Sequence, residues 1–158
     1  MAVRSKGTLS TVDGLAQLSF LVHGTLERRA AERDLSMIQT RLLGVLRDRK
    51  PTMNELARLL GLDKSSTTGL VDRAECRGLV RRGPSTVDRR AVLVSLTGKG
   101  RSLATRVSAR FDADVGSIVD ALPASDREVL TGLVSRILVA HAESQGVDLF
   151  ATTGPEAT

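Results

Sequence analysis

Residues Glu55 to Leu70, "ELARLLGLDKSSTTGL", hold two helical patterns separated by an abrupt break. Leu56, Leu59 and Leu60 form an apolar stripe and Gly61 ends it. Asp63 then opens a second helix on Lys64, Ser65, Ser66, Thr67 and Thr68. Helices joined so tightly cross at close range, which demands a small residue at the contact and a left-handed residue in the turn. Ala57 and Gly61 meet both demands, while Leu56, Leu60, Leu62 and Leu70 close the apolar side. This is the pattern of a helix-turn-helix; an ordinary helical hairpin is the alternative, since Ala and Gly are common. The second helix favours the former. With Thr67, Leu70 and Val71 turned inward, Lys64, Ser65, Ser66, Thr68 and Gly69 face outward at its leading end. Capping would employ two of these positions, not five. A helix N-terminus carries partial positive charge and free N–H groups that suit phosphate. Small hydroxyls also allow deep entry into a major groove, where they bond to base edges of either type.

Working outward, "TMNE" is a capping box (Thr52, Glu55) that opens the first of these helices, and "SMIQ" (Ser36, Gln39) opens the one before it. That earlier helix carries the stripe Ile38, Leu42, Leu43 and Leu46, and Pro51 is expected to end it. From Leu9 to Ala31, Val12, Leu15, Ala16, Phe20, Leu26 and Ala30 recur at helical spacing, with Leu18, Leu21 and Val22 partly off the stripe. A helix apolar on more than one side usually has more than one packing partner. Downstream, Gly78 stops the second helix and the period changes. "LVRRG" and "AVLVSL" are β-branched runs joined by the polar loop "PSTVDRR", a hairpin signal. Thr97 caps a long helix from Gly98 to Ala121, and Ser125 with Glu128 offers a third capping box before a last helix to Glu143.

The fold class expected is mainly α with a small β-hairpin wing: a winged helix-turn-helix flanked by N- and C-terminal helices. Residues 35–97 form the winged lobe, residues 9–34 and 98–145 the flanking helical region, and residues 1–8 and 146–158 flexible termini.

Charge agrees with that division. The chain has 158 residues and a net charge of +5, yet between Arg77 and Arg101 seven basic residues face Asp88 alone. The remainder of the chain is therefore close to neutral. Scattered charge serves solubility, whereas clustered positive charge is the footprint of a polyanion. Arg81 and Arg82 fall on one strand of the hairpin and Arg89 and Arg90 at the start of the next. Such a tip suits an adjacent minor groove, where negative potential concentrates. Asp88 among them can fix the direction of a neighbouring guanidinium. A charge run is more often a solvated loop, but this one adjoins a recognition-type helix, and duplex DNA is the better reading.

Composition excludes several classes. Hydrophobic residues make up 41%, enough for a real core, while three Phe with no Trp or Tyr leave too few rings for single-strand binding by stacking. No stretch approaches the roughly 20 apolar residues of a membrane span. The N-terminus "MAVRSKGTLSTVDG" lacks the apolar region of a secretory signal. Cys76 stands alone, so a reducing cytoplasm is the expected setting. Enzyme chemistry finds little support: His23 and His141 are far apart, with no Cys/His cluster, Gly-rich phosphate loop or G-x-S-x-G elbow. No catalytic residue, metal or cofactor is expected.

The stretches "LSMIQTRLLGVL" (Leu35–Leu46), "MNELARLLGLDKSSTTGLVDRAECRGLVRR" (Met53–Arg82) and "DRRAVLVSLTGKG" (Asp88–Gly100) resemble the MarR family of bacterial transcriptional regulators. The resemblance runs from about Leu15 to Ala142. It implies a homodimer held by the first and last helices, which gives residues 9–34 and 98–145 a dimerisation role. It further implies a pseudo-palindromic operator, with the recognition helix (residues 63–77) in the major groove and the wing (residues 81–92) in the minor groove. Carried over by position, Lys64, Ser65, Ser66 and Thr68 contact bases or phosphates. Arg73 pairs with Asp72 or reaches a phosphate. Arg81, Arg82, Asp88, Arg89 and Arg90 supply the wing contacts. Gly69 departs from the family pattern, where an Arg often stands, and implies a weaker or differently specified operator.

The resemblance also implies a repressor released by a small anionic or phenolic effector bound between the dimer helices and the lobe. Phe20, His23, Met37 and Arg41 are the candidates to line that site, although a lone helical His is more often an ordinary surface or core residue. Two alternatives stand beside this reading. Cys76, next to Arg77, could make a redox-responsive regulator, or the basic hairpin could bind an acidic protein partner.

Overall fold

The computed structural model describes residues 7, 9–85, 91–144 and 146. Its elements are α1 (Thr11–Ala31), α2 (Met37–Arg47), α3 (Met53–Leu60), α4 (Lys64–Cys76), β1 (Val80–Pro84), β2 (Val92–Leu96), α5 (Gly98–Val119) and α6 (Ala124–Ser144). Among the described residues the architecture is mainly α with one antiparallel two-stranded wing, as the sequence led us to expect.

The turn between α3 and α4 forms as its residues demand. Gly61 sits at φ 67°, the left-handed region that a Cβ disfavours. Its N–H bonds to the Arg58 carbonyl at 3.2 Å, and that of Leu62 to the Ala57 carbonyl at 3.0 Å. Both upstream capping boxes are complete: Ser36 with Gln39 on α2, and Thr52 with Glu55 on α3. Accepting from the Thr52 backbone N–H holds the Glu55 carboxyl below its usual value.

Pro51 does not end α2. The helix stops at Arg47, and the Pro51 carbonyl instead accepts from the Val94 N–H at 2.9 Å. Thr52 bridges Leu93, so the segment before α3 lies along β2. This third backbone edge covers the wing, which is otherwise a bare hairpin of the kind that is marginal alone. Strand register pairs Val80 with Leu96 and Arg82 with Val94. The hairpin tip, including Asp88, Arg89 and Arg90, lies outside the described residues, as do nearly all of residues 1–8 and 146–158.

The core lies in the lobe. Leu42, Leu56, Leu60, Leu70, Val71, Leu79, Val80 and Val94 are sealed from solvent where α2, α3, α4 and the wing meet. The first turn of α5 packs against the α4–β1 turn so closely that Gly100 is obligatory. A Cβ there would stand 1.9 Å from the Leu79 carbonyl oxygen. Thr97 caps α5 at the Gly100 N–H (3.0 Å) and donates its hydroxyl to the Gly78 carbonyl at 2.7 Å.

The outer helices differ from expectation in two respects. Ser125 does not cap α6. Pro123 provides the first carbonyl, accepting from Asp126 and Arg127 at 3.1 Å each, so the helix begins at Ala124 and Ser125 lies inside its first turn. In α1 only the C-terminal half is buried, at Thr25 and Ala30, while Val12, Leu15 and Phe20 are exposed. Arg29 ties this half to α5 through a two-pronged ion pair with Asp114 at 2.7 and 2.9 Å. No helix among the described residues is long and apolar enough to cross a membrane.

Candidate nucleic-acid interface

Along α4 the burial alternates with helical period. Thr67, Leu70, Val71 and Ala74 are buried, while Lys64, Ser65, Ser66 and Thr68 are exposed and Gly69 is half-buried. The outward face is therefore the one the sequence assigns. Its hydroxyls, however, already donate. Asp63, the N-cap, accepts from the Ser65 and Ser66 hydroxyls at 2.6 Å each and from the Ser66 N–H at 2.8 Å. The Ser65 hydroxyl is the main cause of a carboxyl held well below its usual range, with the two Ser66 donors next. Thr68 donates to the Lys64 carbonyl one turn back at 2.9 Å. All three hydroxyls thus present acceptor lone pairs outward.

Of the two arginines nearest this face, Arg82 takes the carboxylate that was one of the two partners expected for Arg73. Arg73 does not pair with Asp72; Asp72 accepts instead from Arg82 of β1 at 2.6 Å. Arg82 also bridges Glu75 through its guanidinium, and its own N–H donates to the other Glu75 oxygen at 3.1 Å. Partial burial opposes the Arg82 charge, but its bonds to Asp72 and Glu75 outweigh that and raise its pKa. The guanidinium thereby fastens the wing to the recognition helix. Sequence reasoning missed this because Arg82 falls in a run of like residues, and nothing local marks which member turns inward. Its neighbour Arg81 alternates to the other face of β1 and stays exposed.

At the far end of α4, Arg77 donates to the Asp34 carbonyl at 2.9 Å and to Gln39 at 3.3 Å, while Lys99 holds the Arg77 carbonyl at 2.8 Å. The Arg77 guanidinium is engaged away from Cys76, which is exposed.

A separate cavity of about 780 Å³ opens between α1, α2 and α5. It brings together His23, Met37 and Arg41 as expected, but Phe20 is not part of its wall and points to solvent. A residue three positions before His23 in a helix lies about 60° round from it, enough here to miss the opening. Phe111, Arg47 and Asp112 line the wall instead. Phe111 continues the α5 stripe of Ala104 and Val107, a signal visible in the sequence, but nothing in sequence showed that α2 would stand opposite. Among the described residues no group of three or more His, Cys, Asp or Glu is placed to hold a metal ion.

A helix-turn-helix whose second helix presents polar groups, braced by a basic wing, defines the winged helix-turn-helix class. Residues 33–91 match the model of the MarR family. The repressor NicR of Pseudomonas putida is 36% identical over 78 residues, covering 49% of each chain. The chain thus spans about half the length of the curated relatives it matches first. Among solved structures, RV1404 from Mycobacterium tuberculosis is 29% identical, with a TM-score of 0.67 over 89% of this chain and 98% of that one. NadR, solved in complex with 4-hydroxyphenylacetate, shares the fold at 24% identity and a TM-score of 0.69, over 87% of this chain and 97% of its own.

Proposed function

We propose that this protein is a cytoplasmic, sequence-specific transcriptional regulator that binds duplex DNA as a homodimer and represses until a small effector releases it. The observation that carries the reading is the outward edge of α4. Polar groups crowd the leading turns of a helix whose other face is fully buried, and the basic wing is locked to that helix by Arg82. In this arrangement Lys64 meets phosphate, and Ser65, Ser66 and Thr68 accept from base amino groups in the major groove. Arg81 with Asp88, Arg89 and Arg90 serves the wing in the flanking minor groove, and Arg82 acts as a positioning residue.

Dimerisation is supported by apolar surface left over in one chain. Val129, Leu133, Ile137 and Leu138 of α6 and Val12, Leu15 and Phe20 of α1 are exposed, and α6 makes no extended packing with any other described element. Exposed apolar stripes of this size mark an interface. The cavity beside α2 has the volume of a small-molecule site, and His23, Arg41 and Arg47 in a largely apolar wall suit a small anionic or phenolic compound.

The test is in vitro selection from a random duplex library, with the winners titrated by fluorescence anisotropy across salt concentrations. A pseudo-palindrome is expected, with affinity falling roughly 10³–10⁵-fold between about 50 and 200 mM salt if six to ten phosphates are neutralised. No enrichment and a flat salt slope would end the regulator reading and leave an acidic protein as the partner of the basic hairpin.

A further inference from the structure

Gly69 stands near the centre of the outward face of α4. Helical spacing places it with Ser65, Asp72 and Cys76, opposite the buried Thr67, Leu70, Val71 and Ala74. The missing side chain is not left as empty surface. A Cβ built on Gly69 would meet Nη1 of Arg73 at 3.2 Å, so the Arg73 guanidinium lies back over this position. Long helical side chains lean toward the N-terminus, and that lean carries the Arg73 head group one turn forward from its own flank onto the reading face. There it borders a shallow hollow of about 360 Å³ with Ile38, Leu62, Ser65, Ser66 and Gly69.

The chemistry of the surroundings is one-sided. The Ser65, Ser66 and Thr68 hydroxyls all donate inward and show acceptors to the groove. Asp72 is occupied by Arg82 and does not compete for Arg73. Among the described residues no hydrogen bond or ion pair engages the Arg73 guanidinium, whereas Arg77 and Arg82 are both tied down. An unengaged planar fork of donors at the middle of an acceptor-lined helix is the complement of two adjacent acceptors on a base edge, which are the O6 and N7 of guanine.

We infer that Arg73, seated in the space that Gly69 leaves, is the specificity-determining residue of the recognition helix and reads one guanine in each half-site. The inference rests on the DNA-binding reading above. It makes the two positions a unit. Gly69 contributes nothing by contact and acts by allowing the guanidinium to cross the helix face.

The same duplex selection supplies the test. In the wild-type winner, each guanine is replaced in turn by 7-deazaguanine, which removes the N7 acceptor and leaves the base pair. One position per half-site is expected to lose about tenfold in affinity. With Arg73→Met, which keeps much of the length of the side chain and removes every donor, that loss is expected to vanish, while affinity for unrelated duplex falls only as the loss of one charge requires. Gly69→Ala is the sharper variant, because its two readouts move in opposite directions. Alanine at a mid-helix position is expected to raise Tm, yet its Cβ, 3.2 Å from Nη1 of Arg73, shifts the guanidinium by a few tenths of an ångström and weakens the guanine preference in part. Adding Gly69→Ala to Arg73→Met should change specificity no further.

Retention of the 7-deazaguanine penalty in Arg73→Met overturns the inference. So does equal weakening of all duplexes by Arg73→Ala with a shallower salt slope, which would make the contact a phosphate one. If the wild type enriches no sequence at all, the DNA-binding reading falls first and takes this one with it.

Discussion

Leu56 in the winged lobe is fully shielded within a single chain, whereas Ile137 on α6 is 56% exposed. Both residues sit on apolar helical stripes, and stripe for stripe the sequence treats them alike. The lobe closes its core because four short elements approach from different directions around Leu42, Leu60, Val71 and Val94. The outer helices run long; α1 and α5 meet the lobe along part of their length, and α6 makes no extended packing with any described element. Of α6 only Ala142 is buried. The lobe has a closed core, to which Ala30 of α1 and Ala104 and Val107 of α5 also contribute, while the arms keep unmatched apolar faces. On the proposed function, that contrast separates DNA reading from assembly.

The strongest way to break the contrast is on α6. Replacing Ile137 and Leu138 together by Asp should convert a dimer into a folded monomer, seen as a halved mass by sedimentation with the helical circular dichroism retained. Loss of fold instead would mean the arms also stabilise the lobe from within one chain. On the other side, Leu56→Ala should cost about 2–5 kcal/mol in urea denaturation, the usual range for emptying a fully buried leucine site. A cost no larger than that of Ile137→Ala would show that the two stripes are equivalent after all.

Next in size is Gly100→Ala. Its Cβ meets backbone at the Leu79 carbonyl rather than a yielding side chain, so a loss of about 1–3 kcal/mol is expected, as for overpacked cores. Arg82→Ala is smaller. Its ion pairs are partly solvated, with the Asp72 side chain 54% exposed, and about 1 kcal/mol or less follows in stability. Its effect on DNA affinity should exceed its effect on Tm if the residue positions the wing, and equal effects would deny that role.

The smallest effect concerns pH. The folded Asp63 carboxyl lies below its usual value of about 3.9, so its ionised form favours the folded state. Its contribution is complete above about pH 4 and is lost as pH falls through the folded value. Asp63→Asn should flatten the low-pH part of the stability curve, and an unchanged curve would remove the cap from the account.

Much of this was legible beforehand because the signals are local. The capping boxes at Ser36 and Thr52, the cap at Asp63, the left-handed Gly61 and the alternation of the hairpin each depend on residues within a turn of one another. What failed involved choices among equals. Pro51 looked like a helix stop because its missing N–H is a local property, yet its carbonyl was claimed by Val94, 43 positions away. Ser125 looked like a cap, but Pro123 had already furnished the first carbonyl. Phe20 and His23 share a helix and a stripe, and only the placement of α2 and α5 separates them.

The chain alone therefore specified which segments are helices, where α2, α3, α4 and α5 begin, which face of α4 is buried and where the positive charge collects. Those properties follow from backbone capping, side-chain period and composition, and none needs a distant partner. Folding settled which arginine does what. Arg77 was drawn to Asp34, Arg82 to Asp72 and Glu75, and Arg73 was left open over Gly69. Like side chains in one short segment carry no mark of their partners. The partners lie on other elements, and the pairing exists only once packing has brought those elements within hydrogen-bonding reach.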